Sequence, residues 1–326
     1  MTAPASVLVT GGHGFIGSHL CGRLAQRGCR VRILARPGAD LANLEGLDVE
    51  VVRGDLTDPG SLQAALAGVG RVFHLAGALK GFTEAGLMAV NRDGTRNLVQ
   101  ACPPGLERFV LVSSLAAAGP SPGGPEPRPG GAPDAPLTWY GRSKLEAERV
   151  VLASGLPSVI LRPPVVFGPR DRDVLSYFRI AARGFLPVPG ARERWYSLVF
   201  APDLAEGIAK AGDAPLPPGQ IIPLVNPDPV TWLDLGRRIA RALGRRCREL
   251  HLPETAIRAA GQMAGLAARL RGRPEIFSPQ KVVEMLAPAW VASPEKARAL
   301  LDWTPRTSLD QALWQTVRWY RDHGWL

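Results

Sequence analysis

The sequence predicts an α/β fold: a doubly wound parallel sheet with a smaller, mainly helical C-terminal part. Three observations carry this expectation. Short, β-branched apolar runs recur along the first half and alternate with segments of helical periodicity, the pattern of parallel strands joined by crossover helices. The first run stops at a cluster of glycines and passes straight into a helix. Beyond Pro163 the alternation becomes irregular, so the rest of the chain is organised differently.

Ser6–Thr10 (SVLVT) reads as a strand buried on both faces. Ile16, Leu20 and Leu24 then fall at helical spacing. Further strands are expected at Val31–Ala35, Val49–Arg53, Arg71–Leu75, Phe109–Ser113 and Ser158–Leu161, with helical stretches such as Ser61–Leu66 between them and right-handed crossovers. In the second part, Ile221–Val225 reads as one more sheet strand. Thr231–Leu243 is an amphipathic helix with Thr231 as its N-cap and Asp234 three residues on. Ser293–Leu301 and Leu309–Tyr320 read as two more helices. Gly119–Pro136 holds seven Pro and five Gly in 18 residues and predicts a loop without regular structure. A loop of that length in a compact domain points to a functional role.

Composition narrows the classes. A chain of 326 residues, 46 % hydrophobic, can bury a sizeable core, and global disorder is excluded. Cys21, Cys29, Cys102 and Cys247 show neither C-x-x-C nor zinc spacing, so reduced thiols are expected and no metal site. No apolar run is long enough to span a bilayer, and Met1 leads within a few residues into the first strand. A cytoplasmic location without a leader is therefore expected. The formal charge of +10 poses the choice between nucleic acid, a membrane surface and an anionic ligand. The arginines are spread without interleaved aromatics, which speaks against nucleic acid. Residues 255–273 (TAIRAAGQMAGLAARLRGR) have two readings: a domain helix packing its apolar face on the core, which is preferred, or an interfacial helix giving peripheral membrane contact.

Thr10-Gly11-Gly12-His13-Gly14-Phe15-Ile16-Gly17 is a G-x-x-G-x-x-G turn between the first strand and the first helix. Gly11 permits the tight turn, Gly14 a close approach to a pyrophosphate, and Gly17 close helix–sheet packing. The helix start offers unpaired N–H groups to phosphates. A dinucleotide cofactor is expected. The second strand ends in Ala35-Arg36, where an NAD site usually carries an acid, so NADP is favoured with NAD as the alternative. Asp55, in Gly54-Asp55-Leu56 after the third strand, could accept a bond from the adenine amino group or could cap a turn.

Tyr140 and Lys144 stand at i, i+4 at the start of a helical stretch running to Ala153. A lysine charge beside a phenol favours phenolate, so the pair is a candidate general acid/base for alcohol–ketone chemistry. Ser113 and Ser114 end the fifth strand, where ligands of doubly wound sheets bind.

TGGHGFIG, Asp55-Leu56, His74-Leu75-Ala76-Gly77, Asn91-x-x-Gly94-Thr95, Ser113-Ser114, Tyr140-x-x-x-Lys144 and Arg162-Pro163 follow one another in an order that resembles the extended short-chain dehydrogenase/reductases, the NAD(P)-dependent epimerase/dehydratase group. The resemblance covers essentially the whole chain. Val199–Ala209 looks like the family's helix at the domain boundary, and Lys296–Pro305, with its Trp-Thr-Pro, like its C-terminal signature. The resemblance implies a Rossmann domain over 1–168, with 198–225 returning to it, and a substrate-binding domain from 169–197 and 226–326. It also implies a homodimer. By position, Ser114 would bond the substrate oxygen, Tyr140 would move the proton, and Lys144 would hold the nicotinamide ribose and lower the tyrosine pKa. The dinucleotide would be held by Gly11, Gly14, Phe15, Ile16, Gly17, Arg36, Asp55, Leu56, Leu75, Ala76, Gly77, Asn91, Tyr140, Lys144, Pro163, Val165 and Val166. Asn91 could equally be structural.

Departures narrow the reaction. Ser114 is followed by Leu115-Ala116-Ala117-Ala118, without the Asp-Glu pair of sugar dehydratases, and Ala118 stands where sugar epimerases carry a tyrosine. Pro164-Val165-Val166 lacks the asparagine they place after Arg-Pro. These features, with Arg36-Pro37-Gly38, are similar to dihydroflavonol-reductase-like and hydroxysteroid-dehydrogenase-like members. The expected activity is NAD(P)-linked oxidoreduction of a secondary alcohol or ketone on an apolar small molecule such as a sterol, isoprenoid or polyketide. Two alternatives stay open. One is a nucleotide-sugar epimerase or reductase, suggested by Arg170, Arg172, Arg179, Arg183, Arg192 and Arg194. The other is a non-catalytic cofactor sensor, which would not need Ser114, Tyr140 and Lys144 together. The Pro/Gly loop is expected to be a mobile lid between Ser114 and Tyr140.

Overall fold

The computed structural model describes residues 5–326; the four residues before them, part of the ground for expecting no leader, lie outside the described residues. The first half builds strands β1 (Ser6–Thr10), β2 (Arg30–Ala35), β3 (Glu50–Arg53), β4 (Arg71–His74), β5 (Arg108–Val112) and β6 (Ser158–Arg162). Helices α1 (Phe15–Gln26), α2 (Leu62–Leu66), α3 (Glu84–Met88), α4 (Gly94–Ala101), α5 (Leu115–Ala118) and α6 (Trp139–Leu152) lie between them. The chain continues through β7 (Val165–Phe167), α7 (Leu175–Ala182), β8 (Phe185–Pro189), β9 (Trp195–Tyr196), β10 (Leu198–Phe200), α8 (Ala201–Asp213) and β11 (Gln220–Pro223). It ends with β12 (Val230–Thr231), α9 (Trp232–Leu243), β13 (Arg248–Leu252), α10 (Glu254–Leu270), α11 (Pro279–Met285), β14 (Ala289–Trp290), α12 (Glu295–Leu301) and α13 (Leu309–Asp322).

Seven strands form one parallel sheet in the order β11-β6-β5-β4-β1-β2-β3. The fold is the Rossmann type. Because β1 pairs with both β2 and β4, the order reverses there, and the carboxyl ends of β1, β2, β4 and β5 open onto one crevice. The alternating apolar positions divide between the two faces as the pleat requires. Val7, Val9, Ile33, Phe73, Val110 and Leu161 share one core with α1 and α8, whereas Leu8, Leu34, Val72, Phe109, Leu111 and Ile160 pack toward α2 and α4. A third core, around Phe167, Phe178, Tyr196, Phe200, Ile239, Trp290 and Tyr320, holds the later elements together.

Thr231 caps α9 by accepting the Asp234 N–H, as its spacing predicts. Two expectations shift. Val199 and Phe200 belong to β10, which pairs with β7, and the helix begins at Ala201 with Pro202 in its first turn. Likewise Ser293 and Pro294 precede α12. The Pro/Gly loop lacks regular structure, but it is not a free flap. Ser121 N–H donates to the Ala289 carbonyl (2.9 Å), Ser121 Oγ accepts the Val291 N–H (3.1 Å) and Ala135 N–H donates to the Ala118 carbonyl (2.9 Å). Among the described residues no helix is long and apolar enough to cross a membrane.

The C-terminal Trp-Thr-Pro closes the main core. Trp303 is buried at 2 % exposure, and its indole N–H donates to the Asp203 carbonyl on α8 (3.1 Å). Trp303→Ala should destabilise the chain by about 3–5 kcal/mol, read from the urea midpoint at unchanged m-value. A shift under ~1 kcal/mol would mean that the cavity collapses or that the segment adds little.

Candidate active site

The glycine turn is shaped by close backbone approaches. Gly11 has φ 71°, and a side chain there would crowd Ala76 N at 2.8 Å. A Cβ on Gly17 would collide with the Gly11 carbonyl oxygen, so α1 can start this close to β1 only with glycine. Gly14 is the N-cap of α1 and supplies no side-chain acceptor, which leaves the first N–H groups of the helix facing the crevice. Phe15 and Ile16 are half-buried in that first turn.

The ends of the next two strands are cationic. Register places Ala35 of β2 against Arg53 of β3, and Arg53 Nη1 donates to the Arg36 carbonyl (3.0 Å). Neither guanidinium has a carboxylate partner among the described residues. His13 lies against the same corner. Its Nδ1 is buried without a hydrogen-bond partner, and burial, then Arg36 and Arg53, push its pKa down. His13 and Arg53 carry no signal of their own in the sequence, although the adjacency of two parallel strand ends could have suggested Arg53. Asp55 caps a turn, its Oδ1 accepting both the Thr57 N–H and hydroxyl (2.8 Å each), and Oδ2 is in neither of these bonds. Leu56 is buried beneath. Uncapped amides and a side-chain-free turn fit the pyrophosphate of a dinucleotide.

Beside this corner, His74 is buried between two hydroxyls, Thr10 Oγ1 on Nδ1 (2.6 Å) and Thr95 Oγ1 on Nε2 (2.9 Å). Thr95 gives its own proton to the Asn91 carbonyl, so His74 carries its proton on Nε2 and Thr10 donates to Nδ1. Burial, aided by Lys144, holds His74 neutral, down to about 3. Asn91 takes its structural reading: Oδ1 accepts the Ala78 N–H (2.7 Å), and Nδ2 donates to the Ala78 carbonyl and Ser143 Oγ. That clamp fixes Leu75, Ala76 and Gly77 at the end of β4.

Tyr140 occupies the first turn of α6, which Thr138 caps, and Lys144 lies one turn on. Ser114 caps the short α5, with Oγ accepting the Ala116 N–H (3.1 Å) and its own proton unassigned among the described residues. The Ser114 hydroxyl faces Tyr140. Burial dominates both titrating groups. It pushes Tyr140 up to about 12 against the pull of Ser114, and Lys144 down to about 8 against Glu148. The expected lowering of the tyrosine by Lys144 is not what this geometry gives, because Lys144 Nζ donates to the Val112 carbonyl instead (2.8 Å). Beneath lies an ion cluster: Arg162 bonds Glu148 (2.9 and 2.5 Å) and Asp134 (2.8 and 2.7 Å), and Ser113 Oγ donates to Glu148. Pro163 is buried after Arg162, and Val165 and Val166 are half-buried on β7.

Residues 7–222 match the NAD dependent epimerase/dehydratase family. The chain belongs to that family. Among its relatives, the ceramide reductase of Caulobacter vibrioides (strain NA1000 / CB15N) is 33 % identical over 321 residues, 98 % of this chain and 96 % of that protein. The 3 beta-hydroxysteroid dehydrogenase/Delta 5-->4-isomerase of Mycobacterium tuberculosis (strain ATCC 25618 / H37Rv) is 29 % identical, over 96 % of this chain and 90 % of that one. The crystal structure of gox2253 matches with a TM-score of 0.82 at 29 % identity, over 98 % and 99 % of the two chains. Family and relatives make this chain an NAD-dependent oxidoreductase or epimerase.

Two features of the site bear on the choice between these chemistries. Leu115, Ala116, Ala117 and Ala118 are all buried, with Leu115 and Ala118 in the third core, so no acid stands behind Ser114. Several arginines of 170–194 are engaged within the chain, and Arg170 donates to Ser18 Oγ (3.2 Å). Arg172 stacks on Trp325, Arg179 bonds the Trp325 carbonyl, and Arg194 is buried against Glu254 and the Pro189 carbonyl.

Because Lys144 titrates at about 8 in the folded chain, against 10.5 for an unperturbed lysine, the folded chain binds fewer protons between those values. It therefore gains stability as pH rises through that window, and the penalty is fully present below it. Lys144→Met should thus exceed the wild type in melting temperature most below pH 8 and progressively less toward pH 10.5; a pH-independent difference would contradict the buried ammonium.

Proposed function

We propose that the protein is an NADPH-preferring reductase of a ketone on an apolar, lipid-like substrate. The observation that carries this reading is the acid-free, apolar, packed segment behind Ser114. It leaves Ser114, Tyr140 and Lys144 as the groups fit to handle a single oxygen, which suits carbonyl reduction better than dehydration of a polyol. The relatives support the substrate class. One is named for a ceramide, which lies outside the sterol, isoprenoid and polyketide examples above, and another for a steroid.

In this reading the N-terminus of α1 and the glycine turn hold the pyrophosphate, while Arg36, Arg53 and His13 hold a ribose 2′-phosphate. A nicotinamide held there would supply the hydride for the carbonyl carbon. Ser114 would hold the carbonyl oxygen by a hydrogen bond from its hydroxyl, keeping its own proton. Tyr140 delivers a proton to the same oxygen as charge develops there. Burial pushes the phenol up to about 12, so Tyr140 carries its proton at neutral pH and can act as the donor when the ketone is the substrate. Lys144 places its ammonium by the ribose, and Glu148 one turn on favours its charged form.

Tyr140→Phe should lower NADPH-linked reduction of a long-chain or steroid ketone by roughly a hundred- to ten-thousand-fold and leave NADPH fluorescence titration unchanged. Turnover within about tenfold of wild type would overturn the role of Tyr140. For the cofactor, Arg36→Ala should weaken NADPH binding by roughly ten- to a hundredfold and leave NADH binding in place. Equal loss for both cofactors would mean that Arg36 does not read the 2′-phosphate.

A further inference from the structure

We infer that α10 is a docking helix for an anionic lipid bilayer. Its inner face is committed to the protein: Ile257, Gly261 and Ala268 are buried. Gly261 and Gly265 let α11 approach closely, since side chains there would press on Val282 and Pro279. The opposite face is apolar and uncovered. Met263, Leu266 and Leu270, at i, i+3 and i+7, are 72 %, 61 % and 82 % exposed. Ala256, Ala259 and Ala260 extend the same stripe toward the start of the helix. The expectation that this helix buries its apolar face in the core is therefore corrected. Ile257 and small residues face inward, whereas Met263, Leu266 and Leu270 face out.

Charge decides the occupant. Arg258 and Arg269 flank the stripe, and Arg271 and Arg273 follow in the next turn, all exposed and without a salt bridge among the described residues. The helix's own carboxylate, Glu254, is engaged by Arg194. Large apolar side chains bordered by free arginines match an acyl boundary beneath a layer of lipid phosphates. A second copy would bring the same cationic rim against itself, which disfavours self-pairing through this face.

The position of α10 gives docking a consequence. α11 is the layer between it and the site: Gln280 Oε1 accepts the Trp139 N–H (2.9 Å), and Glu284 faces Tyr140. A bilayer held on α10 therefore lies one helix layer from Tyr140, and an amphiphile could be drawn from it with its polar end leading.

The test is sedimentation of the full chain with vesicles of phosphatidylcholine, with or without phosphatidylglycerol. The expected result is binding to the anionic vesicles that weakens as salt rises. The triple substitution Met263→Gln, Leu266→Gln and Leu270→Gln should weaken it by roughly tenfold or more at unchanged melting temperature and NADPH titration. Arg269→Glu with Arg271→Glu and Arg273→Glu should abolish the preference for phosphatidylglycerol. Wild-type protein that ignores anionic vesicles would overturn the inference, as would a triple variant that binds them equally. So would light scattering that shows the glutamine substitutions splitting a dimer, since the face would then belong to a second copy. Ketone turnover in detergent is read separately, so failed catalysis with intact vesicle binding counts against the proposed function and not against docking.

Discussion

The pair of Arg162 and Glu148 holds together the place where Ser114, Tyr140 and Lys144 meet. Glu148 is 1 % exposed and Arg162 is 7 % exposed, a depth at which a lone charge would cost several kcal/mol. The cluster survives because its polar atoms are shared out. Arg162 forks onto both Glu148 and Asp134, and Ser113 donates to the same glutamate. Burial works against the arginine's charge, yet the two carboxylates outweigh it and drive its pKa up. Four segments are fixed as a result: the end of β5 at Ser113, the end of β6 at Arg162, the middle of α6 at Glu148 and the tail of the Pro/Gly loop at Asp134. Tyr140 and Lys144 ride on that α6, and Ser114 follows that β5.

The same fixed frame explains the electrostatics above it. Burial moves the phenol and the ammonium toward their neutral forms, upward for Tyr140 and downward for Lys144. Glu148 partly restores the lysine's charge, and Ser114 partly restores the acidity of the tyrosine. The opposing influences come from residues that the ion cluster itself orients. The proton-handling groups are thus set by the scaffold beneath them more than by one another.

Much of the first half was legible because its signals are local. A buried parallel strand is a continuous apolar run, and a glycine turn followed by a helix is a contiguous string. The six early strands and the Thr231 cap accordingly lie where their residues suggest, and Ile221–Val225 overlaps the edge strand β11. The later part was less legible. Strands such as β9, β12 and β14 are two residues long and exist because Trp195, Thr231 and Ala289 meet from distant stretches of chain. The helix start at Ala201 was misplaced because Val199 and Phe200 are apolar in either element, and it is pairing with Val166 and Phe167 that makes them a strand. In the site, Asn91 and Asp55 each had two readings that composition cannot separate; the structure shows their local bonds, to Ala78 and Thr57. His13 and Arg53 escaped notice because their significance is their distance from Arg36, which the sequence does not contain.

The net charge is distributed with the same logic. Many arginines are absorbed by carboxylates across element boundaries: Arg23 and Arg27 bond Glu206, Arg71 bonds Asp213, and Arg238 bridges Asp234 and Asp310. Such exposed pairs add little stability singly, but they neutralise charge locally. Two unpaired sets then differ in kind from scattered surface arginine. Arg36 and Arg53 stand near His13, whose Nδ1 is buried without a hydrogen-bond partner. Arg258, Arg269, Arg271 and Arg273 surround exposed Met263, Leu266 and Leu270, which is a demand for an anionic surface with an apolar interior. Among the described residues neither set is neutralised by a carboxylate, and that is why the proposed reading gives the first to the cofactor and the second to a lipid surface.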